Sequence, residues 1–149
     1  MAPIGISKFQ HLFRASAGVN VDKDDLKRCN DFVNRKLNDL LIIAEATARA
    51  NIRDVVQPQD LPITKGLRES IYEFRKLDTD IELAGLLGEL EMLPPLDLAL
   101  SEEAASQLPE VAGGLTVALA KLIRILDPGL KSPHAADWDH AIKATDVLI

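Results

Sequence analysis

Apolar residues recur at helical spacing along almost the whole chain. In ISKFQHLFRAS, residues 6–16, Ile6, Phe9, Leu12 and Phe13 fall on one face, and Gly18 stands where such a helix stops. Val19 and Val21 then alternate around Asn20, a short extended piece, and Asp22 is placed to cap the next helix. From about Lys23 to Ala50 the apolar positions are Leu26, Cys29, Val33, Leu37, Leu40 and Ala44. That pattern predicts a rod about 42 Å long, which needs a partner along its whole apolar stripe. After ANIRDVVQPQ, Asp60 stands directly before Leu61-Pro62, the signature of a cap and first turn. Ile63, Leu67, Ile71 and Phe74 form the stripe of this third helix, and Gly66 inside it costs about 1 kcal/mol relative to Ala.

From Asp78 the order of elements repeats. Residues 80–92 read as a helix stopped by Leu93-Pro94-Pro95, and LDLAL alternates as the first loop did. Ser101-Glu102-Glu103 then supplies a cap and two carboxylates at the positive end of a helix dipole. A second long stretch comes next, with apolar positions Ala104, Leu108, Val111, Leu115, Leu119, Leu122 and Leu126, ended by Asp127-Pro128-Gly129. Ser132-Pro133 opens a last helix with Trp138, Ile142 and Thr145 on one side. A shift of 79 residues lays Asp22 on Ser101, Leu40 on Leu119 and Asp60 on Asp139, with almost no identity. The repeat is therefore one of architecture. Pro109 and Gly113-Gly114 fall inside the second rod, which is expected to be kinked or interrupted near Pro109.

Composition narrows the class. A chain of 149 residues, 47% apolar but only 4% aromatic, suits one domain with an aliphatic core. No apolar run approaches the roughly 18–20 residues of a membrane span, and no signal-peptide pattern precedes the first helix. Cys29 is the only cysteine, so no intrachain disulfide is possible and the expected location is cytoplasmic. The net charge of −6 is unevenly spread, +3 over residues 1–77 and −9 over residues 78–149. The acidic half opposes the approach of a polyanion, whereas the basic half can offer a local patch.

Short, long and short helices joined by two extended loops resemble the histone fold. In that fold an Arg in the second loop pairs with an Asp seven residues later, the spacing of Arg53 and Asp60. Between them Val55-Val56 resembles the short β segment that pairs with the first loop of a partner fold. The resemblance makes Asp60 both the salt-bridge partner and the cap of the third helix. Taken whole, and including KDDLKR, DLPITKGL, PPLDL and LDPGLKSP, the sequence is similar to a small family of bacterial proteins with two fused histone folds, domain of unknown function 1931. The resemblance covers nearly all 149 residues and departs from the pattern at Ser132, where the second half has no Arg. It implies one all-α domain over 1–149, a tandem pseudodimer of a first half, 1–77, and a degenerate second half, 78–149. The plain alternative is a generic helical bundle in which Arg53 and Asp60 form a surface pair of little weight.

Histones hold DNA through basic residues near their paired loops. Here the first loop offers no Arg, residue 54 is Asp54, and the second half presents Asp97 and only Lys131. The candidate phosphate contacts are Lys8, Arg14, Lys23, Lys27, Arg28, Lys65 and Arg68, besides Arg53, with Asp22, Asp24 and Asp25 among them. Two or three such contacts give weak, salt-sensitive, sequence-independent binding. A second expectation is an interaction module for a protein partner not identified by the sequence, with Ala112–Leu115 as a docking surface and the chain a monomer or low-order homo-oligomer. The enzyme reading has one cluster, His134, Asp137, Asp139 and His140 in PHAADWDH. His134 and Asp137 have the spacing to share a metal, but His140 lies nearly two turns away and the Asp residues suit the first turn of a helix. His11 has no acid or nucleophile near it in sequence, and Cys29 on the apolar stripe reads as a small hydrophobe. The expectation is a binding protein, with no catalytic residues, metal or cofactor.

Overall fold

The computed structural model describes residues 6–81 and 96–149, and over them the chain is all-α. Its helices are α1 (Ile6–Ala17), α2 (Lys23–Ala50), α3 (Lys65–Ile81), α4 (Glu102–Leu126) and α5 (Ala135–Leu148). Two short strands, β1 (Val55–Val56) and β2 (Ala99–Leu100), join in parallel, with Val55 opposite Ala99 and Val56 opposite Leu100.

Side chains near the helix ends set most boundaries. Asp22 caps α2 in a reciprocal box: its Oδ1 accepts from the Asp25 N–H at 2.9 Å, and its own N–H donates to Asp25 Oδ2 at 2.9 Å. Ser101 Oγ accepts from the Ala104 N–H at 3.0 Å and starts α4. The end of α2 is a Schellman turn, in which the Ile52 N–H donates to Arg49 O at 3.0 Å and the Arg53 N–H to Ala48 O at 2.9 Å. Glycine is the usual residue at its left-handed position. Here it is Ile52, β-branched, at φ 56° and 94% exposed.

Three expectations about boundaries need correction. Asp60 does not cap the third helix, because residues 58–60 form a 3-10 turn and α3 begins at Lys65. Its cap is Thr64, whose Oγ1 accepts from the Leu67 N–H at 3.2 Å. Proline before a helix permits this detour, since Pro58 and Pro62 have no N–H to leave unpaired. Likewise α5 starts after His134 rather than at Ser132-Pro133. Finally, α4 runs unbroken through Pro109. The ring removes a single backbone bond there, and the packing of the next turns holds the helix together. The helix expected over 80–92 lies almost wholly outside the described residues, and α3 itself continues past residue 77 to Ile81.

Helix α4 is the hub, in contact with α1, α2, α3 and α5. From Val111 to Leu115 every residue is buried, so this stretch has no solvent face. The glycines make that enclosure possible. A Cβ at Gly113 would lie 2.4 Å from the Phe74 ring, and one at Gly114 2.5 Å from Ile71 Cγ1 and 3.1 Å from the Ile71 backbone N. Helix α3 therefore rests on the bare backbone of α4. Elsewhere the core is aliphatic, joined by Phe9, Phe13 and Trp138, whose rings lie 4.7 Å and 5.6 Å apart in succession. Leu126, expected on the buried stripe, is half exposed, and Ile123 is buried instead.

Two outcomes test this packing. Gly113→Ala should cost about 1–3 kcal/mol by overpacking, read from urea unfolding, and Phe74→Leu in the same chain should restore part of it; a neutral Gly113→Ala would refute the close approach. Ile52→Gly should raise stability by about 1 kcal/mol, or Tm by roughly 2–4 °C, because glycine adopts the left-handed backbone without strain. An unchanged or lower Tm would mean that Ile52 makes a compensating contribution.

Candidate functional site

Loops from the two halves of the chain meet at both ends of α2. At its C-terminal end, Arg53 Nη2 donates to Asp60 Oδ1 at 2.6 Å, and the Gln57 N–H donates to Asp60 Oδ2 at 2.8 Å. The Asp60 side chain is fully buried while that of Arg53 is 28% exposed, so the guanidinium seals the carboxylate from water. Removing Arg53 would strand a buried charge, at a cost of about 3 kcal/mol. One face of Arg53 is itself unsatisfied, since Nη1 is buried without an acceptor. The joint fixes β1 against β2, and the Ser101 N–H extends the pairing to Val56 O at 2.9 Å. Glu45, buried on α2, accepts from the Leu98 N–H at 2.6 Å, and Arg49 reaches Asp97 at 3.4 Å.

At the other end of α2 the Asn20 N–H donates to Lys131 O at 2.8 Å. Here Arg124, in the last turn of α4, takes the place of a sheet. Its Nε donates to Ala17 O at 2.6 Å, its Nη2 to Gly18 O at 2.9 Å and its Nη1 to Pro128 O. Gly18 has φ 65°, and a Cβ there would sit 3.3 Å from Arg124 Nη2, so both backbone and space call for glycine. Arg124 is absent from the residues that the sequence singles out. Its one signal is a cation in a last helical turn, where free carbonyls need donors.

Apart from Arg53, which lies in the loop after α2 and is committed to Asp60, the candidate DNA contacts fall on three helices. Lys8 and Arg14 lie on α1, with Lys8 half-buried. Lys23, Lys27 and Arg28 share the start of α2 and are exposed; Lys27 reaches Asp31 at 3.9 Å. Lys65 and Arg68 lie at the start of α3, where Lys65 pairs with Glu69 at 3.0 Å. Arg68 lines a cleft of about 180 Å³ with Tyr72, Arg75, Gln107 and Glu110, in which Arg75 is paired with Glu110 at 2.6 Å. Other cations of the first half bind the second half of the chain. Lys36, 5% exposed on α2, holds Asp146 of α5 at 2.8 Å, and Arg35 holds the same carboxylate at 3.1 Å.

The PHAADWDH cluster divides its labour. Asp137 accepts from the His134 N–H at 2.8 Å as a helix cap, and His134 Nδ1 lies 3.5 Å from the same oxygen on an exposed imidazole. Trp138 points inward, where its Nε1 donates to Asp25 Oδ1 at 2.7 Å across 113 residues. Burial pushes the Asp25 carboxyl above its ordinary value against the lowering effect of these hydrogen bonds. Cys29 is buried, and desolvation pushes its thiol up to about 12. Among the described residues, no group of three or more His, Cys, Asp and Glu side chains is arranged to hold a metal ion, and no helix is long and apolar enough to cross a membrane. The surface expected to dock a partner, Ala112–Leu115, is inside the molecule under Phe74 and Ile71. That expectation is corrected: small residues there admit α3, which leaves no room for a second protein.

The profile of domain of unknown function 1931 matches residues 9–146. The chain belongs to that family. An uncharacterized protein of Aquifex aeolicus strain VF5 is 30% identical over 124 residues, 83% of this chain and 72% of its own length. A crystal structure of a Thermus thermophilus protein superposes with a TM-score of 0.87 at 46% identity, over 98% of this chain and 99% of that one. A 1.9 Å structure of an Aquifex aeolicus protein gives 0.86 at 27% identity, over 100% and 98%.

The link between α2 and α5 has a pH signature. Burial raises the Asp146 pKa, but hydrogen bonds from Lys36 and Arg35 outweigh it, leaving the group below 3.8. A depressed carboxylate stabilises the fold above its unfolded value, and that contribution disappears as pH falls through the folded one. The stability gap between wild type and Asp146→Asn, measured by urea unfolding, should be constant above about pH 5 and close toward roughly pH 2. A gap independent of pH would remove this electrostatic role.

Proposed function

We propose that this family member is a single-chain pair of histone folds, 1–77 and 78–149, acting as a binding module rather than an enzyme. The observation that carries the reading is reciprocal loop pairing. The loop after α2 joins the loop before α4 through Val55-Val56 and Ala99-Leu100, and the loop before α2 joins the loop after α4 through Asn20 and Lys131. Two histone folds facing each other require that exchange at both ends. Further support comes from the long helices, which pack together, and from the Arg53–Asp60 pair beside β1. The module's partner is a protein, and DNA is a weaker, sequence-independent ligand.

The second reading, nucleoid association, is favoured by the exposure of Arg14, Lys23, Arg28 and Arg68. It is limited by Asp22, Asp24 and Asp54 nearby in sequence and by the charge of −9 on the second half. Two or three phosphate contacts contribute a salt slope of about 2–3, so moving from roughly 20 mM to 200 mM salt lowers the affinity by about 100- to 1000-fold. The test pairs affinity capture from native lysate after nuclease treatment with gel shifts at both salt concentrations. The expected result is protein retained without nucleic acid and a DNA shift confined to low salt. Tight binding at the higher salt would overturn the first reading in favour of the second.

A further inference from the structure

The cleft of about 180 Å³ between α3 and α4 combines a polar rim with an apolar lining. Arg68, Tyr72 and Arg75 follow one another along one face of α3, at spacings of four and three residues, and Gln107 and Glu110 do the same on α4. Between the two rows lie Ile63, half-buried, and Ile71 and Val111, both buried. A few polar groups converging over apolar side chains is the composition of a small-molecule site.

Charge and size select the occupant. Arg75 Nη2 donates to Glu110 Oε2 at 2.6 Å, and its guanidinium lies 5.3 Å from the centroid of the Tyr72 ring. Arg75, Tyr72 and Glu110 are thereby held together as one wall, in which the two charges cancel. Arg68 differs, because among the described residues its guanidinium has no hydrogen-bond or ion-pair partner. The cleft therefore carries one uncompensated positive charge, and the Glu110 carboxylate beside it opposes a dianion such as a phosphate monoester. A nucleic-acid strand, which brings a row of phosphates, finds only that one cation here. Volume sets the last limit: a space of about 150 Å³ takes one benzene ring, and this cleft is little larger.

We propose that this cleft binds a small monocarboxylate with a compact apolar body, of the size and kind of an aromatic acid. Arg68 holds the carboxylate, Gln107 and Tyr72 supply neutral hydrogen-bonding groups, and the body rests on Ile71 and Val111. Arg68 is the one residue that the cleft shares with the candidate DNA contacts, and the paired loops at the ends of α2 take no part in it. Its failure would leave the histone-fold reading untouched.

An NMR titration of the full chain with benzoate at low salt tests it. Amide shifts should saturate with a dissociation constant on the order of 1 mM and cluster at residues 63–75 and 107–111. Acetate, which has the charge without the body, and benzyl alcohol, which has the body without the charge, should each bind at least about 5-fold more weakly. Arg68→Gln should weaken benzoate by at least about 5-fold and leave benzyl alcohol unchanged, whereas Arg68→Lys should lose less. Arg68 is exposed, so the Tm of these variants should stay within about 2 °C of wild type, which separates lost binding from lost folding. Benzoate shifts that do not saturate by about 20 mM overturn the proposal, as does binding indifferent to Arg68→Gln or matched by acetate. A short single-stranded DNA that moves the same amides when benzoate does not assigns the cleft to nucleic acid and overturns it too.

Discussion

A helix with no face for water is the constraint that organises this molecule. From Val111 to Leu115, α4 is buried all round, so its stability depends on neighbours at every azimuth. Those neighbours come from both halves of the chain: α1, α2 and α3 from the first, α5 from the second. The first half alone would lose the surface on which α3 rests. Gly113 and Gly114 give the enclosure its fit, because they trade two side chains for direct contact between Phe74, Ile71 and a helix backbone. The cost of glycine in a helix interior, about 1 kcal/mol each, is offset by the burial of two large apolar groups.

Where the local signal is strong, the sequence announces the element. Asp22 with Asp25 three residues on marks the start of α2, and the periodic apolar positions carry it to Ala50 without a break. Two features defeat sequence reasoning. Asp60 before Leu61-Pro62 has the composition of a helix start, yet its carboxylate is already committed to Arg53 and to the Gln57 N–H, and Thr64 takes over the cap. The run VAGGL reads as one stripe with two helix-breaking glycines. Periodicity cannot separate a one-sided helix from a fully enclosed one when the extra positions are Ala and Gly. Arg124 is illegible for another reason: its acceptors are backbone carbonyls at residues 17, 18 and 128, and backbone carries no sequence signature.

The charge asymmetry has a structural meaning that composition could not supply. A half of +3 beside a half of −9 suggests a basic patch waiting for phosphate. Part of that basic charge is bound to the second half of the chain instead. Arg35 and Lys36 hold Asp146, Arg49 approaches Asp97, and Arg75 holds Glu110, each across the boundary between halves. Lys121 returns the arrangement by holding Glu73. Most of these pairs are half-exposed and individually worth little. Their value lies in register, since each fixes a position along one helix against a position along another. Among the residues proposed for DNA, Lys27 and Lys65 are themselves paired with carboxylates on their own helices, which weakens the expected binding.

Strain and burial then separate what the fold needs from what remains for function. Asp25 illustrates the first: a buried carboxylate whose acceptors are shared between the Asp22 cap and the Trp138 indole is fully employed as a strut between α2 and α5, and its chemistry is spent on that. Cys29, with its thiol held protonated by burial, is likewise a packing residue. Ile52 illustrates the second. A β-branched residue in the left-handed region, with 94% of its surface in water, contributes nothing to packing and costs about 1–3 kcal/mol of backbone strain. It sits at the tip between α2 and the Arg53 joint, where the two halves meet. The burial of Asp60 behind Arg53 and the pairing of β1 with β2 hold that turn in place against the strain.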